Sequence, residues 1–504
     1  MNSSRQFGVL LLLSLLLTFS LSITSVYAAD FQGSIKARLD TGQEVNTQSG
    51  LEYPDNLMDR TYFESLLTAE VHFKKIPVGK RLRLGIRMVD LEASDYDLNY
   101  TALEDQRRID DKIYAQWTIA KWEVWAGDVT ETFGKGLALS LYENRDLYYS
   151  TSLRGGKVSY ISKKLRAKAI YGHSREWFNV QNDVVGGISL EYRPWRQWHV
   201  GVNLVHHEGV TYEKRFTPGI YSGGKVGPVS LYGEYAQRRP EDGDILAGDG
   251  TYLSAETTLL GVSAQINYKY YNFGIENPFQ TPPIAEREIT TTLLTQHPHV
   301  PDMVDQVGFE INLAATPIEV LFVDLNFSRS SRHSGNNPFP TLKQEDAAYW
   351  NFYGETEWYA HPNVTSKLAF GANEEAYPAF WQEKSGLREE LIVTLGNLWS
   401  VTLDLENMWV TDRENDEDYT EQLIAVALAK ATLGSIYLSY EQTGREDTTE
   451  GENWIGAELL FEMLKNHRLT LFFGQERGGL KCSSGVCRTV QSFEGLRLTY
   501  DGRF

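Results

Sequence analysis

The sequence has few cysteines and, beyond its first 30 residues, no long apolar run. Cys482 and Cys487 are its only cysteines, which excludes a cysteine-rich disulfide scaffold, a CxxC zinc pair and a CxxCH haem site. No stretch of 18 apolar residues follows residue 30, so the sequence predicts no transmembrane helix there. Two classes stay open: a soluble protein, and a membrane protein that crosses the bilayer with β-strands.

Recognisable catalytic motifs are also missing. The sequence contains no GxSxG elbow, no HExxH pair and no Walker loop. His297 and His299, with Asp302 and Asp305, are suitable metal-ligand types, but their spacing matches no metal motif. We therefore expect polar loop residues there, and predict no metal, no cofactor, no catalytic residues and no enzymatic activity. A site assembled from scattered rim residues stays open as an alternative.

Basic residues are outnumbered by acidic ones. There are 48 lysines and arginines against 67 aspartates and glutamates, which gives a formal net charge of −19. A chain this acidic is a poor ligand for nucleic acid, so we expect no nucleic-acid partner.

The first 28 residues have the pattern of a secretory signal peptide. Arg5 precedes an apolar run over 9–21, and Val26 and Ala28 supply the small residues of a cleavage site. The sequence therefore predicts a signal peptide over 1–28 and a mature chain, 29–504, in the cell envelope.

The last residues alternate in polarity. Apolar residues and glycine occupy every second position from Leu496 to Phe504, and polar residues such as Arg497 and Asp501 stand between them. Such alternation is typical of a strand with one face toward lipid and one toward a wet lumen. A terminal aromatic on this strand resembles the signal read by the barrel-assembly machinery of Gram-negative cells. We therefore predict an outer-membrane location, with that machinery, membrane lipid and lipopolysaccharide as partners.

Alternating segments recur along the whole chain, separated by short and long connections in turn. Clear examples are 63–74, 80–88, 261–270 and 321–327. Short periplasmic turns and long extracellular loops are expected of outer-membrane barrels. The count predicts an all-β chain forming one large antiparallel transmembrane β-barrel of about 24 strands, between 22 and 26.

Two of the long connections stand out as candidates to fill the lumen. These are 127–157, which is punctuated by glycine, and 272–305, which is rich in proline and does not alternate. Other long connections are predicted over 373–388 and 411–419. Residues of the first segment that could constrict a pore are Lys135, Glu143, Arg145, Asp146 and Arg154.

Cations gather on the predicted inward faces of the first, third and last strands. Closure of the barrel would bring the first and last strands together. This cationic sector comprises Lys36, Arg38, Arg81, Arg83, Arg87, Arg497 and Arg503. It predicts a lumen that prefers anions. The alternative is that nearby carboxylates neutralise these cations in a structural ladder; the carboxylates are Asp40, Glu64, Glu70 and Asp501.

The two cysteines lie in the last predicted extracellular loop, in GGLKCSSGVCR. In an oxidising envelope this spacing suits a disulfide between Cys482 and Cys487 that closes a turn. Free or redox-active thiols are the alternative.

Three segments resemble landmarks of a poorly characterised group of porin-like outer-membrane barrels: FGKGLALSLYENRDLYYSTSLRGGKV, HPHVPDMVDQVGFEINL and FFGQERGGLKCSSGVCRTVQSFEGLRL. Similar barrels occur beside envelope redox systems, including systems for oxyanion reduction. The resemblance therefore implies a conduit through the outer membrane but does not identify its substrate. We expect a passive pore for small hydrophilic solutes, preferably anions or oxyanions. One alternative is a sheath around a periplasmic or surface partner, such as a multihaem cytochrome or a lipoprotein. A surface adhesin or rim enzyme is the other.

Overall fold

The structure is a computed structural model. It describes residues 29–504 apart from 75–78, 101–102, 146, 176–182, 210–213, 241–246, 275–276, 286–290, 296–298, 300–301, 303, 336, 379, 447–448, 450 and 484–485. The predicted signal peptide therefore lies outside the described residues.

Twenty-four strands form one continuous sheet. They are β1 (Ala29–Val45), β2 (Leu57–Phe73), β3 (Arg81–Glu92), β4 (Gln106–Ile119), β5 (Trp122–Val129), β10 (Leu153–Ile161), β11 (Leu165–Ser174), β12 (Val184–Trp195), β13 (Trp198–Glu208), β14 (Arg215–Val226), β15 (Val229–Pro240), β16 (Gly248–Leu259), β17 (Val262–Asn272), β18 (Asp305–Ile318), β19 (Leu321–Ser331), β20 (Ala348–His361), β21 (Val364–Tyr377), β22 (Phe380–Thr394), β23 (Trp399–Asp412), β24 (Glu417–Lys430), β25 (Gly434–Thr443), β26 (Asn453–Leu464), β27 (His467–Glu476) and β30 (Phe493–Arg503).

The remaining elements lie in the connections. They are the short strands β6 (Glu131–Phe133), β7 (Leu139–Leu141), β8 (Glu143–Asn144), β9 (Tyr149–Ser150), β28 (Gly479–Ser483) and β29 (Val486–Val490), the helices α1 (Asp95–Tyr100) and α2 (Thr292–Thr295), and a 3₁₀ turn at Gln344–Asp346. Among the described residues, no helix has the length and apolar character needed to cross a membrane.

The sheet closes on itself. Each of its strands pairs antiparallel with the next along the chain, and β1 pairs with the last strand, β30, so that Lys36 lies opposite Asp501 and Asp40 opposite Arg497. The predicted all-β barrel of about 24 strands is confirmed. We call the five strands around this closure, β26, β27, β30, β1 and β2, the seam.

The outer face of the barrel is apolar. Along β12, for example, Ile188 and Leu190 are 52% and 45% exposed, whereas the alternating residues Val185 and Ser189 are buried. The exposed set has the character of a lipid-facing surface, and closure leaves no open sheet edge in the bilayer. The protein is therefore an outer-membrane β-barrel.

Short turns and long loops alternate as predicted along most of the chain, with corrections at 373–388 and at 411–419, where only 413–416 separate β23 from β24. Residues 373–388 do not form a long connection, because β21 and β22 extend through most of this range and are separated only by 378–379. The outward positions near the long-loop ends of these strands are no longer uniformly apolar. One of them is Glu374, which accepts hydrogen bonds from the indole groups of Trp350 and Trp381. A strand continuing beyond the lipid does not need an apolar face, so its pattern resembled a loop.

Candidate functional site

The connection from β5 to β10, residues 130–152, packs against the inner wall of the barrel. Phe133, Leu137 and Leu139 are at most 1% exposed. They belong to a buried cluster with residues that alternate with the lipid-facing set of the wall, including Ile170, Val185, Val205, Ala236, Tyr252 and Tyr271. We call 130–152 the first internal segment.

The middle part of this segment contacts the wall on the other side of β5. Glu143 forms ion pairs with Arg87 of β3 and, at 3.1 Å, with Lys112 of β4. Two residues on, Arg145 pairs with Glu64 of β2 at 3.1 Å. The phenol of Tyr148 also donates to Glu64, at 3.0 Å. The segment is thus held at β2 to β4 by charge and at β11 to β17 by apolar packing.

The connection from β17 to β18 contains a second internal segment, formed by 277–285 and 291–295. Gln280 accepts hydrogen bonds from the guanidinium of Arg238, at 2.5 and 3.2 Å. The ammonium of Lys269 donates to the carbonyl of Ile284. Arg238 and Lys269 are almost fully buried on the inner wall, at 1% and 0% exposure. A buried cation needs partners of this kind, so these contacts anchor the segment.

The two internal segments contact each other. The backbone amide of Ser140 donates to the carbonyl of Phe279 at 2.8 Å, and the side-chain amide of Gln280 donates to the carbonyl of Leu137 at 2.6 Å. The phenol of Tyr149 donates to the carbonyl of Pro278 at 3.2 Å. The segments therefore form one hydrogen-bonded unit inside the barrel.

Helix α2 attaches the second segment to a distant part of the wall. The buried carboxylate of Glu406, on β23, accepts the backbone amides of Thr292 and Leu293, both at 2.8 Å. Leu294 fills a recess over Gly371, where a Cβ atom would come within 2.5 Å of its Cδ1 atom. Gly371 thus permits the close packing of α2.

We expect Glu406→Ala to detach α2 from the wall. Each buried amide that loses its acceptor costs about 1–3 kcal/mol. Amides of 291–295 should therefore exchange hydrogen faster, as measured by mass spectrometry. The matched control is Glu406→Gln, which keeps an acceptor oxygen and should exchange more slowly than the alanine variant. Equal exchange in the wild type and Glu406→Ala would contradict this anchoring role.

The seam borders a cavity of about 550 Å³. Lys36 and Arg468 line the part of the cavity nearer the short turns. Tyr96 of α1 and Gln491 line the part nearer the long loops. The first internal segment supplies part of the opposite side through Arg145 and Tyr148. We call this space the seam cavity.

The seam cavity is lined by charges of both signs, with a basic excess. The basic residues are Lys36, Arg38, Arg60, Arg145, Arg468 and Arg497, and the acidic residues are Glu64, Asp97, Glu458 and Glu476.

One buried carboxylate organises three of these arginines. Asp40 is fully buried and accepts hydrogen bonds from Arg38 at 2.5 and 2.9 Å, from Arg60 at 3.1 Å and from Arg497 at 3.3 Å. The guanidinium groups also lie over aromatic rings: Arg38 is 5.1 Å from the ring centre of Tyr62. Such contacts fix the planes of the arginines.

The predicted cationic sector divides into three parts. Lys36, Arg38 and Arg497 line the seam cavity. By contrast, Arg87 is bound by Asp111 and by Glu143 of the internal segment. Arg83 lies 3.3 Å from Glu70.

Two further members of that sector lie at the ends of their strands. Arg81 begins β3, and Arg503 ends β30. Both are exposed. Of the carboxylates proposed as a ladder, Asp40 and Glu70 pair with cations of the sector, and Glu64 pairs with Arg145 instead.

One predicted constriction residue lies elsewhere. Arg154 does not face the lumen: it lies on the outward face of β10 and pairs with Asp110 at 2.8 Å and Asp128 at 3.0 Å. The reason is that β10 begins at Leu153, whose buried side chain points inward, so Arg154 points outward. Lys135 lies within the barrel, with its ammonium 5.8 Å from the ring centre of Tyr232. Asp146 lies outside the described residues.

The histidine and cysteine predictions fall partly outside the described residues. His299 stacks on Tyr349 with ring centres 3.8 Å apart, and its Nδ1 atom is 2.9 Å from Glu375. His297 is not described, and no cluster suited to a metal ion occurs in the described part of the chain. Cys482 and Cys487 are directly paired in the β28–β29 hairpin, but their side chains are not described, so the disulfide stays a prediction.

A family model matches residues 8–215 and 384–504 of this chain. It describes DUF6029, a family of unknown function. The chain belongs to DUF6029. The matched ranges contain all five seam strands and the first internal segment, and they leave out the second segment. No curated protein matches this sequence.

Solved structures show how this DUF6029 chain resembles other barrels. A chain of the E. coli P pilus tip assembly intermediate PapC-PapD-PapK-PapG aligns with a TM-score of 0.52 at 10% identity, covering 94% of this chain and 60% of that chain. The P pilus usher (PapC) translocation pore gives 0.48 at 10% identity, covering 94% and 99%. The Pseudomonas aeruginosa outer membrane protein OpdK gives 0.41 at 11% identity, covering 75% and 99%. At such identities the likeness concerns the barrel fold alone.

Proposed function

We propose that this DUF6029 protein forms a water-filled channel for small hydrophilic solutes, with the seam cavity as the path. The observation that carries the proposal is the division of the lumen. Internal segments are bound to the wall at β3 and β4, β11 to β17 and β23. The seam, which the first segment contacts at β2, borders a polar cavity that extends along the strands. A barrel of 24 strands is wide enough to hold both a filling and a passage.

We further propose a preference for anions, including oxyanions. Six basic residues line the cavity against four acidic ones. Asp40 and Glu44, which pair with the arginines, are 0% and 1% exposed, whereas Arg38 is 31% exposed at its side chain. These two carboxylates thus lie behind Arg38. Glu476, which pairs with Arg497, is itself 34% exposed at its side chain, so the proposed preference rests on the excess of basic lining residues and on the exposure of Arg38. A low-dielectric wall strengthens this effect.

Conductance of the purified protein in planar bilayers tests both parts. We expect single-channel steps, and in a KCl gradient a reversal potential displaced toward the chloride equilibrium potential. A correctly folded barrel that does not conduct would refute the channel. A reversal potential on the potassium side would refute the anion preference and leave the channel standing.

The internal segments argue against a sheath around a cytochrome or lipoprotein, because they occupy space that such a partner would need. We therefore propose transport without catalysis, in which any redox partner acts beside the barrel. Co-purification of a stoichiometric haem protein with a non-conducting barrel would reverse this choice.

A further inference from the structure

The loop between β19 and β20, residues 332–347, folds down over the outside of the barrel. Its residues 338–341 contact β17 and β19 on the lipid-facing side. The phenol of Tyr268 donates to the carbonyl of Pro338 at 2.8 Å, and Arg329 donates to the carbonyl of Pro340 at 3.2 Å. The amide of Thr341 donates to the hydroxyl of Ser331 at 2.9 Å. We call 332–347 the outer flap.

Burial of wall residues shows how closely the outer flap covers the barrel. Val307 and Ser331 are directly paired and lie on the outward face, in register with Tyr270. Comparable outward residues such as Ile266 are 51% exposed, yet Val307 is 0% and Ser331 is 1% exposed. His333 packs edge-on against Tyr270, with ring centres 4.3 Å apart. The flap thus covers a patch of the apolar belt.

The flap replaces the covered surface with an apolar surface of its own. Phe339 and Leu342 are 66% and 69% exposed, and both lie in the sequence NPFPTL. Lys343 and Glu345, further along the flap, form an exposed ion pair at 3.0 Å. The outward side of the flap therefore has an apolar tip followed by a charged stretch.

The position of the apolar tip, Phe339 and Leu342, along the barrel axis indicates which part of the membrane surrounds it. Tyr268, its contact on β17, is six residues from the short turn, which corresponds to about 15 Å along the barrel axis for a tilted strand. The apolar band of such a barrel is about 25 Å tall. Aromatic residues six positions into other strands mark the same level; they are Tyr171, Tyr235 and Tyr440. The tip therefore lies in the outer half of the band, continuous with the lipid-facing surface.

We propose that the outer flap is a membrane anchor, with Phe339 and Leu342 inserted among the acyl chains of the outer leaflet. Exposed apolar side chains at this height are favourable only where they are removed from water. Covalent continuity with two strands and hydrogen bonds to Tyr268 and Arg329 hold the flap flat against the wall. The flap thereby widens the lipid-contacting surface over β17 to β19 on one side of the barrel.

Spin labels test this placement. Phe339→Cys and Leu342→Cys would be labelled separately in a Cys482→Ser/Cys487→Ser background and reconstituted in phosphatidylcholine vesicles. Power saturation then compares access of oxygen, which concentrates in the bilayer, with access of a water-soluble nickel complex. Ile266→Cys supplies the lipid-facing control, and Glu414→Cys, in an exposed loop, the aqueous control. Folding of each variant is checked by its heat-modifiable gel migration.

We expect labels at 339 and 342 to resemble the label at 266: accessible to oxygen, with nickel access several-fold below that at 414. Nickel access equal to that at 414 would refute insertion. Exclusion of both reagents would also refute it, because it would show that protein, such as a second copy, covers the tip. Since two positions are labelled independently, a local perturbation at one does not decide the outcome.

Discussion

Replacing residues 131–151 with a short hairpin turn should raise single-channel conductance several-fold. Val129 and Leu153 are directly paired at the ends of β5 and β10, so a tight turn can join them without disturbing the wall. The replacement removes Phe133, Leu137 and Leu139 from the lumen, together with the side of the seam cavity formed by Arg145 and Tyr148. The wall keeps its strand pairing, and the open part of its lumen becomes wider.

The same replacement should also increase anion preference. Glu131 pairs with Lys168 at 2.7 Å and Lys157 at 3.2 Å, and Glu143 pairs with Arg87. The replacement removes three acidic residues, Glu131, Glu143 and Asp146, and two basic ones, Lys135 and Arg145, so the lumen gains one net positive charge and these wall cations face it. Conductance and reversal potential in planar bilayers measure the two effects together. Deletion of 334–342, on the outside of the barrel, is the control and should change neither. Unchanged conductance after loss of 131–151 would show that this segment lies outside the ion path.

The barrel could be predicted from the sequence because its pattern is local. A lipid-facing strand must carry apolar residues at every second position, and this period is visible without knowledge of the strand's neighbours. The same reasoning placed Lys36, Arg38 and Arg497 on inward faces near the closure. It missed Arg60, which lies between Met58 and Tyr62 in the early part of β2, before the alternation becomes clear.

The contacts of the internal segments could not be predicted in this way. Glu143 meets Arg87 across 56 residues of chain, and Glu406 meets Thr292 across 114. These pairs depend on how an irregular segment packs inside the closed barrel, for which no periodic signal exists. Arg154 shows the same limit on a smaller scale. Moving the predicted start of β10 by one residue changes whether the side chain of Arg154 points inward or outward.

Lys36→Glu combined with Arg468→Glu should reverse or strongly reduce the anion preference. Both residues line the seam cavity toward its short-turn end, and Arg468 is 59% exposed at its side chain, so the substitutions alter charge without emptying a packed core. They leave the network of Asp40 and its three arginines intact. Two positive charges become negative in a confined path, so the reversal potential in a KCl gradient should move toward the potassium equilibrium potential. Arg154→Glu, on the outward face, makes the same type of charge change outside the path and should leave the reversal potential unchanged. An equal shift in both variants would show that ions respond to the overall charge of the barrel and would remove the seam cavity as the selectivity-determining path.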